Sequence, residues 1–382
     1  MELLECGHVA AAGKPRLCGH LLVEEPPSHY RVLTGVRVRF DLACEDCADS
    51  PVLLTACEGC VDRACEYGWS DVLGWKGTPE VLHEDRELQG VRSQVCDVRM
   101  LNDRCLAPLP DGWLAFTAAG LVTLSGGVAH EVKLVDEDHG KALPALHTSP
   151  DGRHAAVVLD YGRKGVVVDL RSGAVVVELD RGRYHSDTTP FPVAFLPGGR
   201  VVAGSDWNRL SVFDLATGAL LWQEDTGGHN FHGRLTVSPT GRWVLDDSWF
   251  WHPLGIPQVY DADFQRVVAL ADRAYAWDQP VAWVSPDVVA IQRIGADDEA
   301  MLDGVELYEV PSGRALEPFA GPVGRMWGRA GLLYVSGEAG LEVWEPSRGA
   351  RIVLVPGFRP VAHHDGTFVE LRDGQLYSFS VD

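Results

Sequence analysis

Long apolar runs, basic charge and late cysteines are what this chain is short of. No stretch approaches 18 consecutive apolar residues, so no helix of membrane-spanning length is expected. The first residues, MELLECGHVAAAGKPRLCGH, lack the charged-then-apolar run of a signal peptide, which points to the cytoplasm. Basic residues number 33 against 54 acidic ones, a formal charge of −21 that repels nucleic-acid backbones and anionic bilayers. The N-terminal hundred residues share the imbalance, 17 acidic to 10 basic, so no basic module hides there. GxSxG, GxGxxG and phosphate-loop motifs are missing from the strand-to-helix contexts that would give them meaning. Cysteine stops at Cys105, leaving 277 residues without one.

The chain divides in two. Seven of the nine cysteines crowd the first 65 residues. In a cytoplasmic chain such crowding argues for metal ligands rather than disulfides. Four short pairs stand in order: Cys6-Gly-His8, Cys18-Gly-His20, Cys44-Glu-Asp-Cys47 and Cys57-Glu-Gly-Cys60. A two-residue gap lets one tight turn aim both thiolates at an ion about 2.3 Å away, and structural zinc takes four such ligands in a tetrahedron. Eight candidate ligands suit two structural zinc ions. A single zinc on the four CxxC cysteines, with His8 and His20 near the surface, is the simpler alternative. Cys65 is positioned to replace a histidine, whereas Cys96 and Cys105 read as buried thiols. Spacing does not say which pairs share an ion. Tyr30 to Phe40 alternates like a hairpin, and Val61, Ala64, Tyr67 and Trp69 have helical spacing after Cys60. A CxxC whose last ligand opens a helix resembles the treble-clef zinc fingers, over residues 1–75. The resemblance implies zinc ligation. The CxH pairs depart from the RING ligand order. A domain this small has too little core to fold without its metal. Residues 76–90, KGTPEVLHEDRELQG, are polar and read as a linker or as a strand that closes the C-terminal domain.

Beyond residue 90 a turn element recurs: Pro110-Asp-Gly112, Pro150-Asp-Gly152, Pro197-Gly-Gly199, Pro239-Thr-Gly241, Pro286-Asp287, Ala330-Gly331 and Asp365-Gly366. The spacing is that of propeller blades. A second turn comes later in most copies, as in Asp169-Leu-Arg-Ser-Gly173 and Asp214-Leu-Ala-Thr-Gly218, suiting hairpins that need a residue of positive φ. SPDGR…VVVDLRSG and LPGGR…SVFDLATG resemble the WD-repeat and YVTN-like β-propellers, without the usual Gly-His and Trp-Asp dipeptides. The resemblance implies a mainly β fold: a seven-bladed propeller over residues 91–382 behind a small zinc-binding domain. The last copy supplies about three strands, so a segment of 78–100 is expected to complete it.

Both turn types belong on one face of such a propeller; the long loops collect on the other, where recognition is expected. The candidate partner-binding residues there are Tyr184, His185, Trp207, His229, His232, Trp249, Trp251 and Trp277. Aromatic residues beside carboxylates suit a protein or peptide partner. The leading expectation is therefore a non-enzymatic interaction scaffold that binds neither nucleic acid nor membrane. A hydrolase or lyase with a central site, built from His185, His229 and His232 with Asp187, Asp225 and Asp278, is the alternative. Nucleic-acid binding through the zinc module is disfavoured by charge.

Overall fold

A computed structural model describes residues 15–34, 39–78, 80–88, 90–95, 98–125, 130–134, 140–206, 208–225, 230–251, 254–295, 301–372 and 375–381. The fold is mainly β, with one α-helix, Glu58–Asp71, among the described residues.

The N-terminal unit is a five-stranded sheet with that helix. Its strand order is Leu53–Leu54, Leu17–Cys18, Arg39–Cys44, His29–Thr34, Val72–Lys76. His29–Thr34 and Arg39–Cys44 pair antiparallel, Tyr30 opposite Ala43. Leu17 lies beside Leu42 in parallel register, which carries Cys18 to the end of the Arg39–Cys44 strand. Val61 and Ala64, one turn apart, face Leu17, Leu21, Val32 and Leu42 in a small core. Leu33 faces outward from this core and packs against Val81, Ile294, Leu302 and Ala320, so the unit leans on the C-terminal sheets.

Small antiparallel sheets make up the rest, as in a WD40-like β-propeller. In each repeat the Pro-Asp-Gly-type turn joins the first and second strands. Examples are Leu143–Thr148 to His154–Asp160, Val193–Leu196 to Arg200–Ser205 and Arg325–Arg329 to Leu332–Ser336. The Asp-x-x-Ser/Thr-Gly turn joins third to fourth, and its chemistry is local. The Asp214 carboxylate accepts from the Thr217 amide at 2.8 Å and its hydroxyl at 2.7 Å. Gly218 takes φ 71°, where a Cβ would also come within 2.5 Å of the Val176 carbonyl oxygen. Successive sheets bury apolar faces on each other, as where Val158, Val167 and Val177 meet Phe191, Val193 and Val201. First strands of neighbouring sheets touch, Leu106–Leu109 against Leu143–Thr148 and Val281–Ser285 against Arg325–Arg329, and so surround an axis.

Two segments before residue 100 are laid into these sheets. Leu82–Glu87, within the stretch that reads as a linker, pairs parallel with Ala350–Pro356. Ion pairs hold its exposed face, Arg351 binding Asp85 through two bonds of 2.8 and 2.6 Å. Arg92–Val95 pairs antiparallel with Gln375–Ser380, becoming the fourth strand of the sheet that contains the last repeat.

Between the strands Trp243–Asp246 and Gln258–Asp261 the chain adds two short strands of its own. Trp249–Phe250 and Leu254–Gly255 form a hairpin, flanked by Asn230–Phe231 and Arg273–Ala274. These strands come from between repeats and from between second and third strands. The extra sheet therefore lies on the face opposite the Pro-Asp-Gly turns.

Candidate metal centre and aromatic face

Cys18, His20, Cys44 and Cys47 converge: their ligand atoms all lie within 4.8 Å of one another, a group able to hold a metal ion. His20 Nδ1 is 3.2 Å from Cys44 Sγ and 3.4 Å from Cys47 Sγ. Sheet register explains the meeting. Cys18 ends a strand beside the one that ends at Cys44, whose amide donates to Cys18 Sγ at 3.3 Å. A turn closed by the Cys47 amide on the Cys44 carbonyl, 3.0 Å, brings Cys47 back to the same point. One CxH pair thus shares a centre with one CxxC pair, rather than the four CxxC cysteines sharing it. Burial opposes ionisation of Cys44, but hydrogen bonds from His20, Cys47 and Cys18 outweigh it and lower its pKa. Burial and the adjacent Cys44 push Cys47 up to about 11, so an arriving metal displaces protons here. Three sulfurs and one imidazole nitrogen are a donor set that zinc accepts.

Cys57 and Cys60 open the helix, with the Cys60 amide bonded to the Cys57 carbonyl at 3.1 Å. They stand apart from the four-residue group, and Cys6 and His8 lie outside the described residues. Cys105 is a buried thiol whose Sγ donates to the Pro144 carbonyl at 3.3 Å; burial pushes it up to about 11. Cys96 lies outside the described residues.

Five of the eight candidate partner residues gather on the extra sheet: Tyr184, His185, Trp249, Trp251 and Trp277. Trp249 is the centre, stacked on Phe231 at 4.2 Å and on Trp277 at 5.3 Å between centroids. His185 stands edge-on to Trp249 at 5.5 Å and meets Phe231, Trp251 and Tyr184 at 5.2, 5.3 and 4.5 Å. Trp249 itself is only 4% exposed and so serves as floor, whereas Tyr184, Trp251 and Tyr275 are 44%, 49% and 63% exposed. His185 and Tyr275 hold positive φ, 53° and 54°, strain that the packed rings must sustain. Buried Arg181 fixes the loop from below, donating to the carbonyls of Gly162, Pro190, Thr189 and Ser186. Trp207 and His229 lie outside the described residues.

His232 does not belong to this face. Its ring is enclosed, with Nδ1 2.6 Å from Asp246 Oδ2 and Nε2 2.7 Å from Glu224 Oε2. Burial opposes its charge, but the two carboxylates win and raise its pKa to about 10. The free imidazole titrates near 6.5. Because the folded value is the higher, the stabilisation is full below about 6.5 and lost as pH rises through about 10. Denaturation midpoints should therefore fall between those limits, and His232→Gln should flatten that slope; an identical slope in the variant would place the effect elsewhere. Of the three histidines of the candidate catalytic cluster, His232 is thus bound to Asp246 and Glu224 and His185 packs among rings, whereas His229 lies outside the described residues.

The mouth of the axis holds residues that loop reading passed over. Arg104, Arg234 and Arg325 each stand at or just before a first strand, a recurrence visible in the sequence once strands are assigned. They pair with Asp160 at 2.5 Å, Asp278 at 3.2 Å and Asp103 at 2.6 Å. The Tyr161 hydroxyl donates to Asp278 as well, joining the mouth to the loop that carries Trp277.

These observations define the class: a WD40-like β-propeller with an N-terminal cysteine–histidine centre. Among solved structures, 1265 chains match its fold, so fold alone leaves function open. One belongs to a crystal structure of a mitotic checkpoint complex; it is 13% identical over 80% of this chain and 94% of that one, with TM-score 0.52. No family model and no curated protein matches. Among the described residues no helix is long and apolar enough to cross a membrane.

Proposed function

We propose that this chain is a non-enzymatic interaction scaffold: a zinc-stabilised module joined to a seven-bladed propeller that docks a protein or peptide on its aromatic face. The observation that carries it is the exposure of Tyr184, Trp251 and Tyr275 above a floor of stacked, buried rings. Large rigid rings presented this way match the anchors of protein interfaces. Exposed Asp187, Asp206, Asp225 and Asp272 stand on connections between repeats or between second and third strands, on the same side as these rings, and, with the charge of −21, favour a partner that is not acidic.

In the same reading, zinc occupies the Cys18–His20–Cys44–Cys47 centre. A second zinc would take Cys57 and Cys60 together with the other CxH pair, Cys6 and His8. Both sites are closed by protein ligands and are structural, with no position left for an activated water. The propeller's seventh blade takes Arg92–Val95 as its outer strand. The compartment expected from the sequence is the cytoplasm, without nucleic acid or membrane as partner.

The test separates floor from surface. Trp251→Ala and Tyr184→Ala should leave stability within about 0.5 kcal/mol, since their rings are largely solvated. Each should nevertheless abolish co-purification of the partner that wild type captures from native lysate. Trp249→Ala should instead cost about 3 kcal/mol by emptying the stack. An unchanged set of captured proteins in the Trp251 and Tyr184 variants would rule this face out as the docking surface.

A further inference from the structure

The axis mouth contains a cavity of about 460 Å³, lined among others by Arg104, His147, Asp160, Arg234, Asp278 and Gln292. Its hydrogen-bonding capacity is lopsided. Both oxygens of Asp160 are engaged, Oδ1 by the Phe191 amide at 2.8 Å and Oδ2 by Arg104. Both oxygens of Asp278 are engaged, by Arg234 and the Tyr161 hydroxyl. The donors are not used up. Among the described residues, Arg104 commits Nη1 to Asp160 and also lies over the Tyr161 ring, and Arg234 commits Nη2 to Asp278, so that Arg234 above all has guanidinium N–H groups left beside the cavity. Gln292 accepts from the Gly324 amide at 2.8 Å through Oε1 and, among the described residues, keeps its NH₂ without a protein acceptor. The His147 ring has no hydrogen-bond partner among them either. Its pKa is lowered, by burial first and by Arg234 and Arg104 against Asp160, so it stays a neutral imidazole with one N–H to give.

We infer that this cavity is a binding site for a carboxylate-bearing ligand, held by Arg104 and Arg234 with the Gln292 amide and His147 completing the donors. A carboxylate offers about four lone-pair sites in a plane, which guanidinium forks match. The charges decide against a phosphate. Three arginines at the mouth are already offset by three aspartates, and the chain carries −21, so one negative charge is accommodated better than two. The volume admits a monocarboxylate of peptide-terminus size. The site uses none of the exposed rings of the aromatic face, so it stands or falls separately from partner docking there.

The full-length, metal-loaded chain would be titrated calorimetrically with N-acetylglycine, a monoanion, with its neutral analogue N-acetylglycinamide and with inorganic phosphate, above neutral pH, where phosphate is mainly the dianion, and at low ionic strength. Saturable N-acetylglycine binding, absent with N-acetylglycinamide and weaker with phosphate, is the expected result. Arg234→Gln should weaken it by about tenfold or more. Gln292→Glu keeps an acceptor for the Gly324 amide but sets a carboxylate where the amide donor was, and should abolish binding. Trp251→Ala should bind as wild type does. N-acetylglycine binding no better than N-acetylglycinamide, tighter phosphate binding, or full retention in folded Gln292→Glu protein would each overturn the assignment.

Discussion

Stripping the metal from the Cys18–His20–Cys44–Cys47 centre should unfold the N-terminal sheet while the propeller's own melting transition survives. The unit's core is a handful of side chains around Leu17, Leu21, Leu42, Val61 and Ala64, too little to offset the chain entropy of some sixty residues. A structural zinc typically contributes about 10–16 kcal/mol of apparent binding free energy, larger than the net stability of most domains. The centre also clamps three separate pieces of sequence: the Leu17–Cys18 strand end with His20, the end of Arg39–Cys44, and the turn to Cys47. Without it, Cys44 and Cys47 are simply two thiols facing an imidazole. Chelator should therefore make residues 15–76 exchange their amide hydrogens freely. The amides of Val157, Val201 and Val289, in fully buried strands, should remain protected. Cys44→Ser should reproduce the chelated pattern in the presence of zinc. Equal protection with and without metal would refute a structural role.

The second large effect concerns the two strands supplied from before residue 100. A chain lacking residues 1–70 keeps both Leu82–Glu87 and Arg92–Val95; a chain lacking residues 1–100 keeps neither. Removing them unpairs the outer edges of Gln375–Ser380 and Ala350–Pro356. It also withdraws Val81 from the Trp344 cluster and leaves Arg351 without Asp85. Exposed edges are templates for aggregation as well as lost stability. The longer deletion should lower the melting midpoint by roughly 10 °C or more, the shorter one by only a few degrees from the loss of the Leu33 contact. Coincident melting curves for the two truncations would show that neither strand matters to closure.

How much of the molecule is legible in its sequence depends on the range of the interactions. The Pro-Asp-Gly and Asp-x-x-Thr-Gly turns are legible because their chemistry lies within five residues, as Asp214, Thr217 and Gly218 show. The ligand pairs are legible for the same reason. Which pairs share a centre is not, because Cys18 and Cys44 meet through a parallel strand register set 25 residues apart. The extra sheet escapes pattern reading because its strands are two residues long and show no alternation. That is why Trp249 and Trp251, two apart in sequence, look equivalent there and differ so much in burial. Leu82–Glu87 is obscured by its charges, which face solvent and arginines rather than a core. The three mouth arginines depend on knowing where each first strand begins.

Docking of partners on the aromatic face, rather than on the turn face, is the proposal on which the functional reading rests. The most direct measurement places a photo-crosslinking phenylalanine analogue at position 251 in one protein and at position 151, in a Pro-Asp-Gly turn, in another. On irradiation in native lysate, position 251 should capture a discrete protein, and Tyr184→Ala in the same chain should suppress it. Position 151 should capture nothing comparable. The same product from both positions, or a product from position 151 alone, would contradict docking on the aromatic face.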